Sequence, residues 1–490
     1  MAEFTIVSPM RIEALAVGGR VPLIGMGRAK ATASGARLAG LASAPAIALV
    51  GVAGSLDPDL RLGQLVVATE VRTVDGSIVR RLPGAEWIAH DLGQKGLEVR
   101  TGPIVSSPRL VRGAKRAELA ATDAVAVDME SAWLVDQLPP DRPVAVVRAI
   151  SDTSEGGMVV GGTRALASLR RVRPSLERWA GALGRHDVVL AAPRSFCAGV
   201  ERAIEIVERA IERFGSPVYV RRQIVHNSHV VADLEGKGAI FVEELDEVPP
   251  GAVVVLAAHG VSPKVRDEAA RRGDLSVIDA TCPLVTKVHH EARRFAAQDY
   301  QIVLIGHEGH EEIAGTLGEA PMALVERPQD VAALDIDPGA PVAYLTQTTL
   351  ATDETAEIVS ALRARFPDLH GPNSNDICYA TQNRQDAVRG MVGRCDLLLV
   401  IGSTNSSNTA RLVEVARREG CRTELIEDET QLRLSWFDGV TTVGITAGAS
   451  APEFLVQRVI DSLSDLGPVA VTEHRTTEEN AHFSLPQVVR

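Results

Sequence analysis

The chain has 490 residues, enough for at least two domains with well-filled cores. Its 45% hydrophobic and 23% charged residues are ordinary for a globular protein. A formal charge of −12 and 3% aromatic residues argue against a broad nucleic-acid footprint, though not against a local pocket for a phosphorylated small molecule.

The first residues, Met-Ala-Glu-Phe-Thr-Ile-Val-Ser-Pro, carry neither a basic region nor an apolar one, so no secretory signal is expected. The 19 residues between Arg37 and Asp57 are uncharged, but they contain Gly40, Pro45, Gly51 and Gly54. That stretch reads as a helix end, a turn and a buried strand rather than a membrane span. The five cysteines are Cys197, Cys282, Cys378, Cys395 and Cys421. An odd count without a signal points to the reducing cytoplasm, and to metal or core roles rather than disulfides.

Up to residue 184, apolar β-type runs (Ala46–Ala53, Leu65–Ala68, Val144–Ile150) alternate with helical ones such as Ala165–Val172. The alternation predicts an α/β domain with a mixed sheet. Carboxylates fall at the ends of apolar runs: Glu13, Glu130 in Val-Asp-Met-Glu-Ser, and Asp152 in Ile-Ser-Asp. A single carboxylate so placed is most often a solvated loop or cap residue.

Together with Gly51-Val-Ala-Gly-Ser-Leu56 and Gly63-Gln-Leu-Val-Val-Ala68, however, they resemble the purine nucleoside phosphorylase and methylthioadenosine nucleosidase superfamily. The resemblance implies that Glu130 holds ribose hydroxyls, Asp152 handles the proton of the purine leaving group and Glu13 activates water. The stretch between Ser55 and Asp128 is short, with Ser106-Ser-Pro-Arg-Leu110 in place of a base-stacking aromatic. Two readings stay open: cleavage of a purine nucleoside, with a resemblance to the adenosylhopane-processing phosphorylases of hopanoid pathways, or a degenerate, non-catalytic binding or docking module.

Arg170-Arg-Val-Arg-Pro-Ser175 interrupts the pattern, and a short helix near 176–183 leads to Gly184. The domains are therefore expected at 1–184 and 185–490.

In the second region, strand Val188–Ala192 runs through a loop into Cys197 and a helix from about Glu201. The strand ending near Asp279 runs into Thr281-Cys282-Pro283 and an amphipathic helix, and Cys378 also precedes a helical run. Each cysteine sits at the positive end of a helix, a setting that favours a metal-binding thiolate. The spacings of 85 and 96 residues place one cysteine in each third of the region. We read the three as ligands of one metal centre where three α/β units meet. No Cys-x-x-Cys pair occurs, which argues against a structural zinc site.

Other strands end in polar clusters: His259-Gly-Val-Ser262, Gly306-His-Glu-Gly-His310, Thr346-Gln-Thr-Thr349, Gly402–Asn408 and Ala447-Gly-Ala-Ser450. Ligands bind beyond the carboxyl ends of strands in such sheets, and hydroxyl or amide groups at helix starts suit phosphate oxygens. With Pro193-Arg-Ser-Phe-Cys-Ala-Gly-Val, Val225-His-Asn, Asp279-Ala-Thr-Cys-Pro-Leu-Val-Thr-Lys-Val-His and Asp376-Ile-Cys-Tyr-Ala, these motifs resemble the 4-hydroxy-3-methylbut-2-enyl diphosphate reductases, the IspH or LytB family, across residues 187–490.

That resemblance implies a trefoil of three α/β modules around a [4Fe–4S] cluster held by Cys197, Cys282 and Cys378. It implies reductive dehydroxylation of a small diphosphate in the last step of the non-mevalonate isoprenoid pathway. His226, His259, Ser406, Ser407, Asn408 and Ser450 would hold the diphosphate, His310 and Thr348 would line the reacting end, and Glu312 would deliver the proton. A ferredoxin or flavodoxin-type electron donor is expected as partner, with no nucleic acid and no membrane. His289, His290 and His307 are expected to be structural, and Cys395 and Cys421 small core or surface residues. A cluster used only as a redox sensor, without turnover, is the competing class.

Overall fold

The computed structural model describes residues 4–39, 45–153, 158–337 and 339–490. The chain divides into two compact units, the first Met1–His186 with Leu432–Thr441 and Asp461–Val469, the second holding the remainder. No sequence signal marked the two later segments that join the first unit.

The first unit is built on a seven-stranded mixed sheet. Its spine is Ile47–Ser55, an uncharged run that pairs in parallel with Val144–Asp152 from Ile47 opposite Val144 to Ala53 opposite Ile150. Leu65–Thr73 runs parallel to Val99–Ser106 and antiparallel to Val144–Asp152. Strands buried on both faces read as continuous apolar runs rather than alternating ones, which is why Ile47–Ser55, Leu65–Thr73 and Val144–Asp152 were visible in sequence and Val99–Ser106, with Arg100, Gly102 and Pro103, was not. Ile47, Leu49, Val66, Ile104 and Val146 are fully buried in the core.

The uncharged stretch after Arg37 resolves into the end of helix Arg28–Ala39 and the strand Ile47–Ser55, with Gly40 outside the described residues. Among the described residues no helix is long and apolar enough to cross a membrane. The helix expected at 165–172 runs Met158–Leu169. Pro174, read as a break, instead opens the next helix, Arg173–Ala182, because a missing N–H costs nothing in a first turn.

The second unit carries three sheets. One has five strands in the order Thr423–Ile426, Leu397–Ile401, Thr442–Ala447, His186–Ala192 and Val469–Arg475. A four-stranded parallel sheet is formed by Ala239–Val242, Val218–Arg221, Val253–Leu256 and Ser276–Asp279. A three-stranded parallel sheet is formed by Met322–Val325, Gln301–Ile305 and Val342–Thr346. Helices cover them, as parallel strands require. Helix Ala198–Phe214 buries Ala203, Ile206, Val207 and Ala210 against Val218, Val220 and Val255. The three α/β modules of the sequence reading are these three sheets with their helices.

Candidate active site

All three cysteines are N-cap residues. Cys197 opens Ala198–Phe214, three residues earlier than the helix expected from Glu201; Cys282 opens Pro283–Ala296 and Cys378 opens Tyr379–Met391. An N-cap side chain projects beyond the first turn, so three such caps from three modules can share one space. They line one pocket together with His226, His259, His310, Glu312, Thr348, Ser406, Ser407, Asn408 and Ser450. Every candidate named for this region thus falls in a single cavity.

Backbone bonds between modules fix the caps. Cys282 N donates to the Ala258 carbonyl at 3.0 Å, Cys378 N to Thr348 at 3.0 Å and Cys197 N to Ala449 at 3.4 Å. The Cys378 thiol donates to Thr381 Oγ1 at 3.1 Å and accepts from Thr381 N at 3.3 Å. Thr381, one turn on, was missed in the sequence; its signal is the Cys-x-x-Thr spacing of a cap. Gly199 supplies the space between two sulfurs. A Cβ at that position would lie 2.8 Å from Cys282 Sγ and 3.7 Å from Cys197 Sγ.

The expectation that helix starts favour the thiolate needs correction. Burial pushes the Cys282 thiol up to about 12 and Cys378 up to about 11, and the neighbouring sulfurs add to the rise. The first-turn amides oppose the shift but do not overcome it. At Cys282 and Cys378 desolvation exceeds what the helix start returns, so these two thiols require a cation to become thiolates.

In the same pocket, His226 and His259 stack at 4.2 Å between ring centroids, and both meet His310 edge-on. Their ring nitrogens lie within 4.8 Å of one another. Burial lowers the pKa of His226, holds His259 well below its ordinary range and brings His310 down to about 4. The three imidazoles are therefore neutral near pH 7, each with one N–H to donate. His310 Nδ1 accepts from Glu312 N at 3.1 Å, which assigns its proton to Nε2.

Among the described residues, several polar atoms here are buried with no partner: His226 Nε2, His259 Nε2, and both Oδ1 and Nδ2 of Asn408. Unpaired buried groups are costly, and a cluster of them marks a place a ligand fills. Ser406 caps the 12-residue helix Ser407–Arg418, and Ser450 Oγ donates to the His226 carbonyl at 3.1 Å. A helix start beside unpaired donors suits an anion with several acceptor oxygens.

Glu312 is fully buried beside Thr348, whose N–H donates to Oε1 at 2.7 Å and whose hydroxyl donates to Oε2 at 3.0 Å. Burial outweighs these bonds and raises the carboxyl to about 7, with the charge of Asp376 adding to the rise. A carboxyl poised there exchanges protons at neutral pH. His289 is buried with Nδ1 at 3.0 Å from Glu319, and does not line the pocket. Cys395 and Cys421 pack in the core beside Leu398 and Leu412, away from the other thiols.

In the first unit, Glu13, Glu130 and Asp152 line a cavity of ≈ 490 Å³ with Asp128, Met10, Ile12, Met26 and Leu110. The first two are buried rather than solvated caps: Glu13 is 1% and Glu130 5% exposed. Glu13 accepts from Met10 N at 2.7 Å and Val52 N at 2.8 Å, and burial raises its pKa; burial and the Asp128 charge raise Glu130 to about 7. Arg148 is wholly buried, 2.6 Å from Asp128 and 3.6 Å from Glu130. Sequence reading missed it, although a charge inside an apolar strand was the signal. Asp152 is 2.6 Å from Arg116 Nη1, and Arg116 also donates to the Ser55 carbonyl.

Three α/β modules that each deliver one thiol to a histidine- and hydroxyl-lined pocket define a cluster-binding oxidoreductase fused to a nucleoside-phosphorylase-like domain. Residues 188–464 match the model of the LytB protein family, and residues 14–170 match that of the phosphorylase superfamily. A 4-hydroxy-3-methylbut-2-enyl diphosphate reductase of Cutibacterium acnes is 57% identical over 313 residues, 63% of this chain and 97% of its own. That of Acidithiobacillus ferrooxidans is 56% identical over 303 residues, 61% of this chain and 96% of its own. A solved E-1-hydroxy-2-methyl-but-2-enyl-4-diphosphate reductase from Plasmodium falciparum superposes with a TM-score of 0.60 at 38% identity, covering 62% of this chain and 97% of that one. The chain belongs to the LytB protein family, whose members are iron–sulfur oxidoreductases.

Proposed function

We propose that the second unit reduces 4-hydroxy-3-methylbut-2-enyl diphosphate, removing its hydroxyl as water to give isopentenyl and dimethylallyl diphosphate. The observation that carries this reading is the single pocket lined by three cap thiols, by unpaired imidazole and amide groups and by Glu312. The donor set fits a [4Fe–4S] cluster: three sulfurs, a glycine where a side chain would intrude, and no fourth cysteine in the pocket. Cys197, Cys282 and Cys378 would hold it; when bound, such a cluster supplies electrons singly and a Lewis-acidic iron.

The chain's own residues do the rest. His259 donates through its unpaired Nε2 and Asn408 through Nδ2 to diphosphate oxygens, while His226, whose Nδ1 donates to Gln223 Oε1 at 3.3 Å, gains an Nε2–H for a diphosphate oxygen on taking up a second proton. Ser406, Ser407 and Ser450 complete the cradle at the helix start. His310 and Thr348 border the reacting end. Glu312, protonated about half the time at pH 7, gives its proton to the departing hydroxyl oxygen, with Thr348 Oγ1 at 3.0 Å as relay. Two electrons and two protons balance the exchange of C–OH for C–H plus water. A ferredoxin or flavodoxin-type protein in the cytoplasm delivers the electrons. Anaerobic turnover by the full chain with chemically reduced ferredoxin tests the proposal; a bound cluster without product supports the sensing role instead.

We further propose that function divides near residue 185, and that the first unit holds a purine nucleoside and cleaves its glycosidic bond. Glu13 takes the proton of water, Glu130 binds ribose hydroxyls and Asp152 serves the leaving base. The Arg116–Asp152 pair favours a second reading, a non-catalytic docking module, because an ion-paired carboxylate accepts hydrogen bonds and has no proton to give. Incubation of the full chain with adenosine-type nucleosides is expected to release free base, and Asp152→Asn to lower the rate by about 10²–10⁴-fold. No release from any purine nucleoside would favour docking.

A further inference from the structure

Each thiol-bearing helix also carries a cation in its second turn, and each cation reaches the loop that leads into another of the three cysteines. Arg202 follows Cys197 by five residues, Lys287 follows Cys282 by five and Arg384 follows Cys378 by six. Arg202 Nη1 donates to the carbonyls of Ala280 and Thr281, both at 3.2 Å. Those are the two residues directly before Cys282. Lys287 Nζ donates to the carbonyls of Ser374 at 2.8 Å and Asn375 at 3.0 Å, and to Asp376 Oδ1 at 3.0 Å. That loop runs directly into Cys378. Arg384 donates to the Ser195 carbonyl at 2.8 Å and the Phe196 carbonyl at 3.1 Å, the two residues before Cys197.

The three contacts close on themselves: the Cys197 helix grips the Cys282 loop, the Cys282 helix grips the Cys378 loop, and the Cys378 helix grips the Cys197 loop. We propose that Arg202, Lys287 and Arg384 form a closed ring of positioning residues that hold the three thiols in register for the cluster.

Two further observations support this. Ser195 has φ +58°, a left-handed conformation that a non-glycine residue keeps only when its surroundings enforce it, and Arg384 binds its carbonyl. Arg384 is wholly buried, and its remaining donors go to Glu479 at 3.0 Å and the Ala380 carbonyl at 3.0 Å, so its orientation is set on both sides. A guanidinium or ammonium spanning two successive carbonyls fixes a loop more tightly than one neutral hydrogen bond. The ring also surrounds an anionic centre with positive charge.

The inference rests on the cluster reading above, and the experiment separates the two. The full chain is loaded with iron and sulfide without oxygen, and loss of iron to a chelator is followed in Arg202→Met, Lys287→Met, Arg384→Lys and a control, Arg209→Met. Arg209 lies on the Cys197 helix but, among the described residues, pairs only with Glu205 and Glu212 at the surface. The two methionine variants are expected to hold iron about 10–100-fold less tightly, with a more negative reduction potential, and the control to match the unaltered chain. Arg384→Lys keeps the charge, but its three donors on a shorter reach cannot serve Glu479, the Ala380 carbonyl and the Ser195 and Phe196 carbonyls together, so it is expected to lose iron faster without the change in potential. The double variant Arg202→Met/Lys287→Met is expected to lose less than the product of the single losses, because a ring already opened cannot be opened again.

Variants that retain iron like the unaltered chain, a control that loses as much as they do, or fully multiplicative losses would overturn the ring. A methionine variant that fails to fold leaves Arg384→Lys to decide: unchanged iron retention there overturns the ring as well. An unaltered chain that takes up no iron would overturn the cluster reading itself.

Discussion

Glu312→Gln is expected to lower turnover of the diphosphate by about 10²–10⁴-fold while leaving iron content unchanged. The amide is nearly isosteric and can still accept the Thr348 N–H, but it has no proton to deliver. The pH dependence gives a second check. Burial raises this carboxyl to about 7, so its protonated fraction falls as pH rises through that value. If the acid form is the donor, turnover in the unaltered chain declines on the alkaline side of about 7, and the residual activity of the glutamine variant lacks that limb. A variant with full activity, or a profile that keeps the limb, would remove Glu312 from the proton path. Removing Thr348 Oγ1 is a less direct probe, because its bond to Glu312 also shifts the carboxyl.

Cys282→Ser is expected to abolish turnover and to leave the anaerobically purified chain without the brown colour of a cluster. A serine hydroxyl is a far weaker ligand for iron than a thiolate, and second-sphere contacts cannot replace a lost ligand. The fold should survive. The cap position needs no thiol, and Pro283 starts the helix whatever precedes it. Iron and sulfide counting beside circular dichroism separates loss of metal from loss of structure. A serine variant that keeps both iron and activity would show that Cys282 is not a ligand.

The strands were legible because most are short, apolar and bounded by polar clusters. Val253–Leu256, Gln301–Ile305 and Leu397–Ile401 fall within a residue or two of where their apolar runs place them. Helix starts were less certain, and the error at Cys197 shows why. Ala198, Gly199 and Val200 carry no helix signal of their own, and the start is set by Arg384, whose guanidinium donates to the Ser195 carbonyl and holds the loop. Residue types and order were enough to nominate the pocket, but not its electrostatics. Each cysteine, read alone, has a helix dipole beside it; the competing desolvation and mutual repulsion appear only when three distant segments meet. Arg116 was invisible for the same reason, since a charge is judged by the partners the fold gives it, whereas Arg148 was overlooked although a charge inside an apolar strand marked it.

The five-stranded sheet has a consequence for synthesis. Its strand His186–Ala192 is the earliest made of the five, yet it lies between Thr442–Ala447 and Val469–Arg475, the last two to be made. The ribosome must therefore release about 250 further residues before that strand has either neighbour, and such distant pairings form slowly. Cys197 follows that strand, so under the proposed cluster reading iron binding is expected only after the sheet is completed, and starvation for iron is expected to accumulate full-length apoprotein rather than truncated chains.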